Sequence, residues 1–563
     1  MLSHTEIHER CQLRRDQITQ MRRARPRSRL WTNRADDSPG LALMGECPDS
    51  IAGDFPFKRN EFGTSGTLRL RMDHWLAKRV INIPDDPNAK KNVVITVDHY
   101  GGKVRWSGIM KYFKAVRKGG LWYLDIVFVD DLQYLQFMLG APNPLLPIPI
   151  FQFPRVLPIF GPAKWAISMM ILLNLIRLEG NLWTLPDDLF AEGGGLFDWS
   201  SWQVLIKANP IDLDDSSTWT LLATRMTRMD QVIQNALDDA QLTMRYRRII
   251  TDDGETSDVP GVPVVANGAL VLEVADDSGY FSPDGTATGG GLAGGLTRTA
   301  QQFVGGFVES VDVFVEDPEG WPASYFDADY LGPGDPTRTW IVIRDSKYNA
   351  IETSEWTWGA ATAVRAVVGG DNPLADSLAR LTIESIGALI GYFLLAGFSG
   401  LGSIIADVVM PFLVGTILAW LEWQHHGRAH ELGWVHLFEV YGQGAENNAW
   451  SLGAVVALRG ALLATKSQSA HVMSLGSGGR FLPGLMFMPG HRIGSTFEQA
   501  TSTIRVDQVE EVTLSWDYEA GQPHEYKAQI GLAQAAMTLA ERQNRAITFA
   551  LATISNIGVH LIS

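Results

Sequence analysis

At 563 residues the chain is several times the size of a domain of roughly 100–200 residues, so three or four structural units are expected. Hydrophobic residues at 46% and charged residues at 19% make a globular composition, while 55 glycines and 27 prolines imply many turns and a strong β component. A net charge of −15 argues against sequence-independent duplex binding, and Cys11 and Cys47, outside any CxxC spacing, indicate neither a disulfide framework nor a cysteine-built metal site. The same sign suits a conduit past which DNA moves without sticking, since like charges repel.

The N-terminus lacks the apolar core of a signal peptide, so export by that route is not expected. Residues 1–31 instead hold eight arginines against three acidic residues. Arg14, Arg15, Arg22, Arg23 and Arg25 form a basic arm able to dock on an acidic partner or a lipid face; a solvated helix and arm is the plainer reading. Next come short alternating runs: TLRLRM at 67–72, NVVITVDHY at 92–100 and KVRWSGIM at 103–110. Gly101 and Gly102 between the last two predict a tight hairpin, because glycine reaches the positive φ of primed turns. GLWYLDIVFV at 120–129 puts Trp122, Leu124, Ile126 and Phe128 on one face, and Asp130 or Asp131 is placed to cap a short helix running to Leu139.

Prolines at 142, 144, 147, 149, 154, 158 and 162 forbid regular helix and remove ladder donors, which predicts a stiff extended connection. The uncharged run 165–176 is too short to span a bilayer and reads as a buried or interfacial helix. Leu221, Met226, Met229, Ile233 and Leu237, at spacings of 3 to 5, predict a helix with a core-facing stripe. Residues 246–358 return to β character around a glycine-rich loop at 285–295, whose GGGLAG matches GxGxxG without the strand and helix that nucleotide binding requires.

Residues 385–406 carry no charge, and 408–421 carry none either. With FSGLGS at 398–403 as a turn, they predict an apolar two-helix hairpin, buried in an oligomer core or inserted in a membrane. Its candidate contact residues are Ile386, Leu389, Ile390, Phe393, Leu394, Phe398, Ile404, Ile405, Phe412, Leu413, Ile417, Leu418, Trp420 and Trp423. Trp434, His425, His426, Arg428 and His430 follow, as aromatic and basic residues do at a membrane interface or over a helix end. His426 and His430 share a helical face, but HHGRAHE is not HExxH and no third ligand is identifiable. GxSxG is absent, and the pairs Asp130–Asp131 and Asp252–Asp253 read as solvated caps, so neither a catalytic residue nor a cofactor is expected.

The C-terminal third carries the most specific text: AWSLGAVVALRGALLATKS at 449–467, GGRFLPG at 478–484, MFMPGHRIG at 486–494, VDQVEEVTLSW at 506–516 and HEYKAQIG at 524–531. Together with DH at 73–74, VRWSGIM, VDD, GLGS and RAHELG, this order resembles the hub-like minor tail proteins of siphophages that infect actinobacteria, over most of residues 50–531. The resemblance implies an α+β chain of small β-barrel or β-sandwich domains, with Gly479, Gly484, Gly490 and Gly494 at tight corners. It also implies a homotrimer at the distal tail tip whose partners are the tail tube or distal tail protein, the tape measure protein and other minor tail proteins. Host membrane contact is implied through the hairpin, and DNA only in passage. A tip protein that binds a receptor or carbohydrate through Trp199, Trp202, Trp356 and Trp358 is the alternative.

The expected organisation is a basic helix and arm at 1–50, a first β hub domain at 51–141 and a Pro-rich connection with a helical segment at 142–245. A second β domain at 246–360, the apolar hairpin at 361–445, a helix plus β hub domain at 446–531 and a C-terminal helix at 532–563 complete it.

Overall fold

The computed structural model describes residues 4–144, 157–180, 199–210, 212, 215, 217–276, 313–314, 341–343, 351–369, 420–441, 461, 465, 468–475, 481–497 and 501–531. Helix α1 (His4–Arg23) has no internal Gly or Pro, carries Glu6 in its first turn and Arg22 and Arg23 in its last, as the helix dipole favours, and ends ahead of Pro26. A first unit follows: β1 (Arg27–Asn33), β2 (Leu41–Glu46), β3 (Ala52–Lys58), β4 (Ser65–Arg71), α2 (Trp75–Ile81), β5 (Val93–His99), β6 (Val104–Lys118) and β7 (Leu121–Asp130). Two strands thus lie inside the first 50 residues, where the sequence predicted only helix and arm. The hairpin at Gly101 and Gly102 forms: Tyr100, Gly101 and Gly102 all have positive φ between β5 and β6.

The second unit runs β8 (Leu139–Gly140), β9 (Leu157–Pro162), α3 (Ala163–Glu179), β10 (Val204–Ile206), β11 (Trp219–Thr224), β12 (Thr227–Arg228), α4 (Met229–Asp239), β13 (Leu242–Ile249) and β14 (Ala269–Asp276). The uncharged run 165–176 lies within α3, whose Ala166, Ile167, Met170 and Ile171 are buried. Among the described residues no helix is long and apolar enough to cross a membrane. Two expectations need correction. Leu221 belongs to β11 and Met226 to a turn, so the predicted helix starts only at Met229. Pro158 and Pro162 sit in β9, paired with Ala223 and Trp219, which a two-stranded ribbon tolerates because each strand has a free edge for the missing donor.

The last stretch contributes β15 (Val313–Phe314), β16 (Val342–Ile343), β17 (Ile351–Gly359), β18 (Ala363–Gly369), β19 (Trp420–Gln424), α5 (His426–Leu432), β20 (Leu437–Tyr441), β21 (Gln468–Leu475), β22 (Arg492–Phe497), β23 (Thr501–Asp517) and β24 (Gln522–Ile530). Trp420 and Trp423 are therefore strand residues, opposite Gly369 and Ala366 of β18, and not the end of an apolar helix. The other candidates of the apolar hairpin, Ile386 to Leu418, lie outside the described residues, as do the glycine-rich loop at 285–295 and the C-terminal helix at 532–563.

Early and late strands of the described chain enter one 14-stranded sheet, in the order β17-β21-β24-β23-β3-β4-β7-β6-β5-β1-β2 with β15, β16 and β22 alongside. The splice is β3 against β23, antiparallel, with Lys58 opposite Glu511 and Ala52 opposite Asp517. The path is open, so the predicted closed barrels are not seen among the described strands; alternation encodes a buried face, whereas closure depends on which edges meet. One core serves the whole splice. Phe55 of β3 lies 5.0 Å from Trp106 of β6 and 5.5 Å from Trp516 of β23, ring centre to ring centre. Gly53 and Gly66 make room for these rings: a Cβ on Gly66 would stand 2.7 Å from Phe55 and 2.8 Å from Trp106. A second core lies under α3 and α4, where Ile171, Ile233 and Leu237 meet Leu270 and Leu272 of the β10-β14-β13 sheet.

Candidate functional site

Where the first unit meets the second, charged side chains take the place of apolar ones. Asp98 of β5 and Arg105 of β6 are directly opposite in the hairpin register, and Arg29 projects from the neighbouring β1. Asp98 accepts from Arg105 Nε at 2.5 Å and from Arg29 Nη2 at 2.6 Å. The turn after β13 supplies the other side: Asp253 lies 2.7 Å from Arg29 Nη2, and Glu255 accepts from Arg105 Nη1 and Arg247 Nη2 at 2.7 Å each. One strand further, Asp131 receives both Arg248 Nε at 2.7 Å and Arg248 Nη2 at 2.6 Å, and Ser107 donates to the same carboxylate. Arg248 Nη1 ends on the Gly268 carbonyl at 2.8 Å.

Arg29, Arg105, Arg247 and Arg248 thus face Asp98, Asp131, Asp253 and Glu255, and the seam is electrically balanced. Asp98, Arg105, Asp131 and Arg248 are all buried. Burial pulls the Arg29 guanidinium down, but hydrogen bonds to Asp253 and Asp98 outweigh it and hold the group above its ordinary value. The bond from Arg29 holds Asp253 below the usual carboxylate range. Asp130 is different: among the described residues no cation pairs with it, it accepts from Gly63 N at 3.1 Å, and it is pushed up to about 7 by burial first and by the charge of Asp131 second. A buried, paired network of this kind fixes how two surfaces meet more than it adds net stability, because desolvation offsets most of the Coulomb gain.

A second cluster fastens α1 to the sheet. His99 Nε2 donates to the Ala24 carbonyl at 2.8 Å, and His524 Nε2 donates to the Arg22 carbonyl at 2.6 Å. His99 Nδ1 accepts from the Tyr526 hydroxyl at 3.1 Å, and Tyr100 stacks on Tyr526 with ring centres 5.5 Å apart. Burial lowers His99 to about 4, so it works as a neutral hydrogen-bonding ring at ordinary pH. Arg25 of the basic arm lies over the Tyr518 ring at 4.9 Å, and Arg15 and Arg23 are exposed.

The structure overturns the sequence reading of one acidic pair and keeps much of the other. Asp130 and Asp131 are 2% and 0% exposed, so they are not solvated caps, whereas Asp252 and Asp253 are exposed at a turn as expected, with Asp253 also bonded to Arg29. Sequence reasoning missed the seam because Asp131 and Arg248 are 117 positions apart. Its one local signal is arginine inside otherwise buried strands, as in RSRLWTN and LTMRYRRI. His426 and His430 are exposed on α5, and among the described residues no three His, Cys, Asp or Glu side chains are placed to hold a metal. Of the aromatics assigned to a receptor surface, Trp202 is buried in the second core 4.2 Å from Trp199, Trp356 is half-buried, and Trp358 is 60% exposed.

The family described as Siphovirus ReqiPepy6 Gp37-like protein matches residues 28–532, from β1 to just past β24. The minor tail protein Gp28 of Mycobacterium phage L5 is 31% identical over 437 residues, covering 74% of this chain and 70% of that protein. The minor tail protein Gp28 of Mycobacterium phage D29 is 32% identical over 389 residues, and the match spans 66% of this chain and 63% of that relative's length. Among solved structures, the 43 kDa tail protein of prophage MuSo2 from Shewanella oneidensis superposes with a TM-score of 0.40 at 7% identity, covering 91% of this chain and 100% of that one. The tail protein from Neisseria meningitidis MC58 gives 0.38 at 8% identity, covering 91% and 98%. Likenesses this distant say nothing about assembly.

Proposed function

From the premise that the chain belongs to the Siphovirus ReqiPepy6 Gp37-like family, whose relatives are named as minor tail proteins and not as enzymes, we propose that it is the structural hub of the distal tail tip. In this reading three copies close the tail tube, hold the distal tail protein, the tape measure protein and other tip proteins, and assist genome delivery. The observation that carries it is the splice of β3 to β23: residues 52–58 and 511–517 share one sheet and one core, the build of a rigid bracket. The buried seam supports the same role, because its charges are spent on each other. Of residues 380–421, those ahead of β19 are the segment proposed to contact the membrane.

The test is to label this protein on intact virions and image the tails. Label at the distal end, on the tube axis, is expected; label along the tube, or none, overturns the hub. The receptor-binding alternative keeps one supporting observation, the exposed Trp358 on β17, and predicts label on peripheral fibres. For the membrane step, the full-length protein should float with liposomes, and failure at acidic and neutral pH alike removes it.

A further inference from the structure

Helix α1 is 20 residues long, about 30 Å at the helical rise, yet among the described residues its packing on the core is confined to its C-terminal end. Every side chain described between Thr5 and Gln17 is exposed, Leu13 to 62%, and only Ile18 and Met21 pack against the main core. The two histidine bonds to Arg22 and Ala24 hold the same end. An isolated helix of this length is marginal in water, and Glu6 with Arg10 at i,i+4 adds only a few tenths of a kcal/mol. The charge is as unbalanced as the packing. Residues 4–25 carry Arg10, Arg14, Arg15, Arg22, Arg23 and Arg25 against Glu6, Glu9 and Asp16, a net of +3, while the whole chain is −15, so −18 sits on the remainder.

We propose that α1 is a clasp between subunits: its exposed basic length docks on the acidic surface of a second copy of this chain. The complementary surface is the chain itself, and a head-to-tail contact of this kind closes into a ring under rotational symmetry. The inference rests on the reading of the protein as a self-assembling tail component, and names the element that joins the copies.

The cysteines supply the test. Cys11 is exposed on α1, whereas Cys47 is buried and its thiol pushed up to about 12, chiefly by burial, so a maleimide at neutral pH reaches Cys11 alone. A photoactivatable maleimide on Cys11 of the full-length protein, irradiated in a mixture of light and heavy isotope-labelled chains, distinguishes cross-links within a chain from those between copies. Cross-links between copies are expected, mapping to acidic segments, with the yield falling about tenfold in ~1 M salt, where the Debye length is about 3 Å. The double variant Arg10→Glu/Arg15→Glu should lose them without change in its unfolding temperature. Cross-links confined to one chain, or self-assembly that the double variant leaves unchanged, overturn the clasp while the hub reading stands. A monomer at every concentration removes both. Cross-links that appear only with vesicles of anionic phospholipid assign α1 to a lipid face and also overturn the clasp.

Discussion

In the large sheet Phe55 and Trp106 are fully buried and Trp516 is 4% exposed, whereas on and before β20 Phe438 is 78% exposed and Trp434 95%. The residue types are alike and the surroundings are opposite. The large sheet is finished by its own chain, since the C-terminal β23 covers the edge that β3 would otherwise present. The three-stranded β19-β18-β20 sheet leaves Val435, Leu437 and Phe438 in solvent. The weight of a side chain in the fold therefore follows what covers it, and not its hydrophobicity. The same contrast holds for charge, between the buried seam of Arg248 and the exposed arginines of α1.

The seam sharpens this comparison most. Asp131→Ala leaves the buried Arg248 guanidinium without its carboxylate and is expected to cost about 3–5 kcal/mol in urea unfolding. Asp131→Asn with Arg248→Met removes both charges and should cost clearly less than the single change. Equal losses would mean that the pair does not act as a unit. Next comes Gly66→Ala, whose added methyl meets the Phe55 and Trp106 rings; about 1–3 kcal/mol is expected from overpacking, and a neutral outcome would mean that the rings shift freely.

Asp130 gives a smaller, pH-dependent effect. Its folded value of about 7 lies above the ordinary 3.8, so the folded protein holds the proton more tightly, and this contribution is present below pH 3.8 and lost as pH rises through about 7. His99 and His491, both lowered to about 4 chiefly by burial, act in the other direction: their contribution is present above 6.5 and lost on acidification toward about 4. The readout is therefore the difference between wild type and Asp130→Asn, in which the histidines cancel. The variant should gain thermal stability relative to wild type as pH rises across that window; a flat difference would place Asp130 in contact with water. Smallest of all, Trp434→Ala and Phe438→Ala on the exposed sheet should change unfolding by no more than about 0.5 kcal/mol. A loss of several times that would erase the contrast between the sheets.

Much of the first unit, and one helix of the second, was legible because the signals are local. The alternation of Leu124, Ile126 and Phe128 gives β7, Gly101 and Gly102 mark the β5–β6 turn, and the uncharged run at 165–176 gives α3. The start of α4 was misplaced because Met226 stands a helical step of three before Met229 by chance, and Leu221 was joined to it across a spacing of five, while β11 is fixed by pairing with β9, a partner that spacing does not encode. The splice of β3 to β23 and the seam joining Asp131 to Arg248 are contacts across most of the chain or across a domain boundary, and each half reads locally as an ordinary strand or turn.

Native-state hydrogen exchange on the full-length protein tests most directly whether the early strand β3 and the late strand β23 belong to one body. The amides of β3 and β23 should exchange together, at the slowest rate, and slow together with β4 and β7, while those of β20 exchange orders of magnitude faster. Exchange of β23 and β24 at a rate of their own, independent of β3, would contradict the splice on which the bracket reading stands.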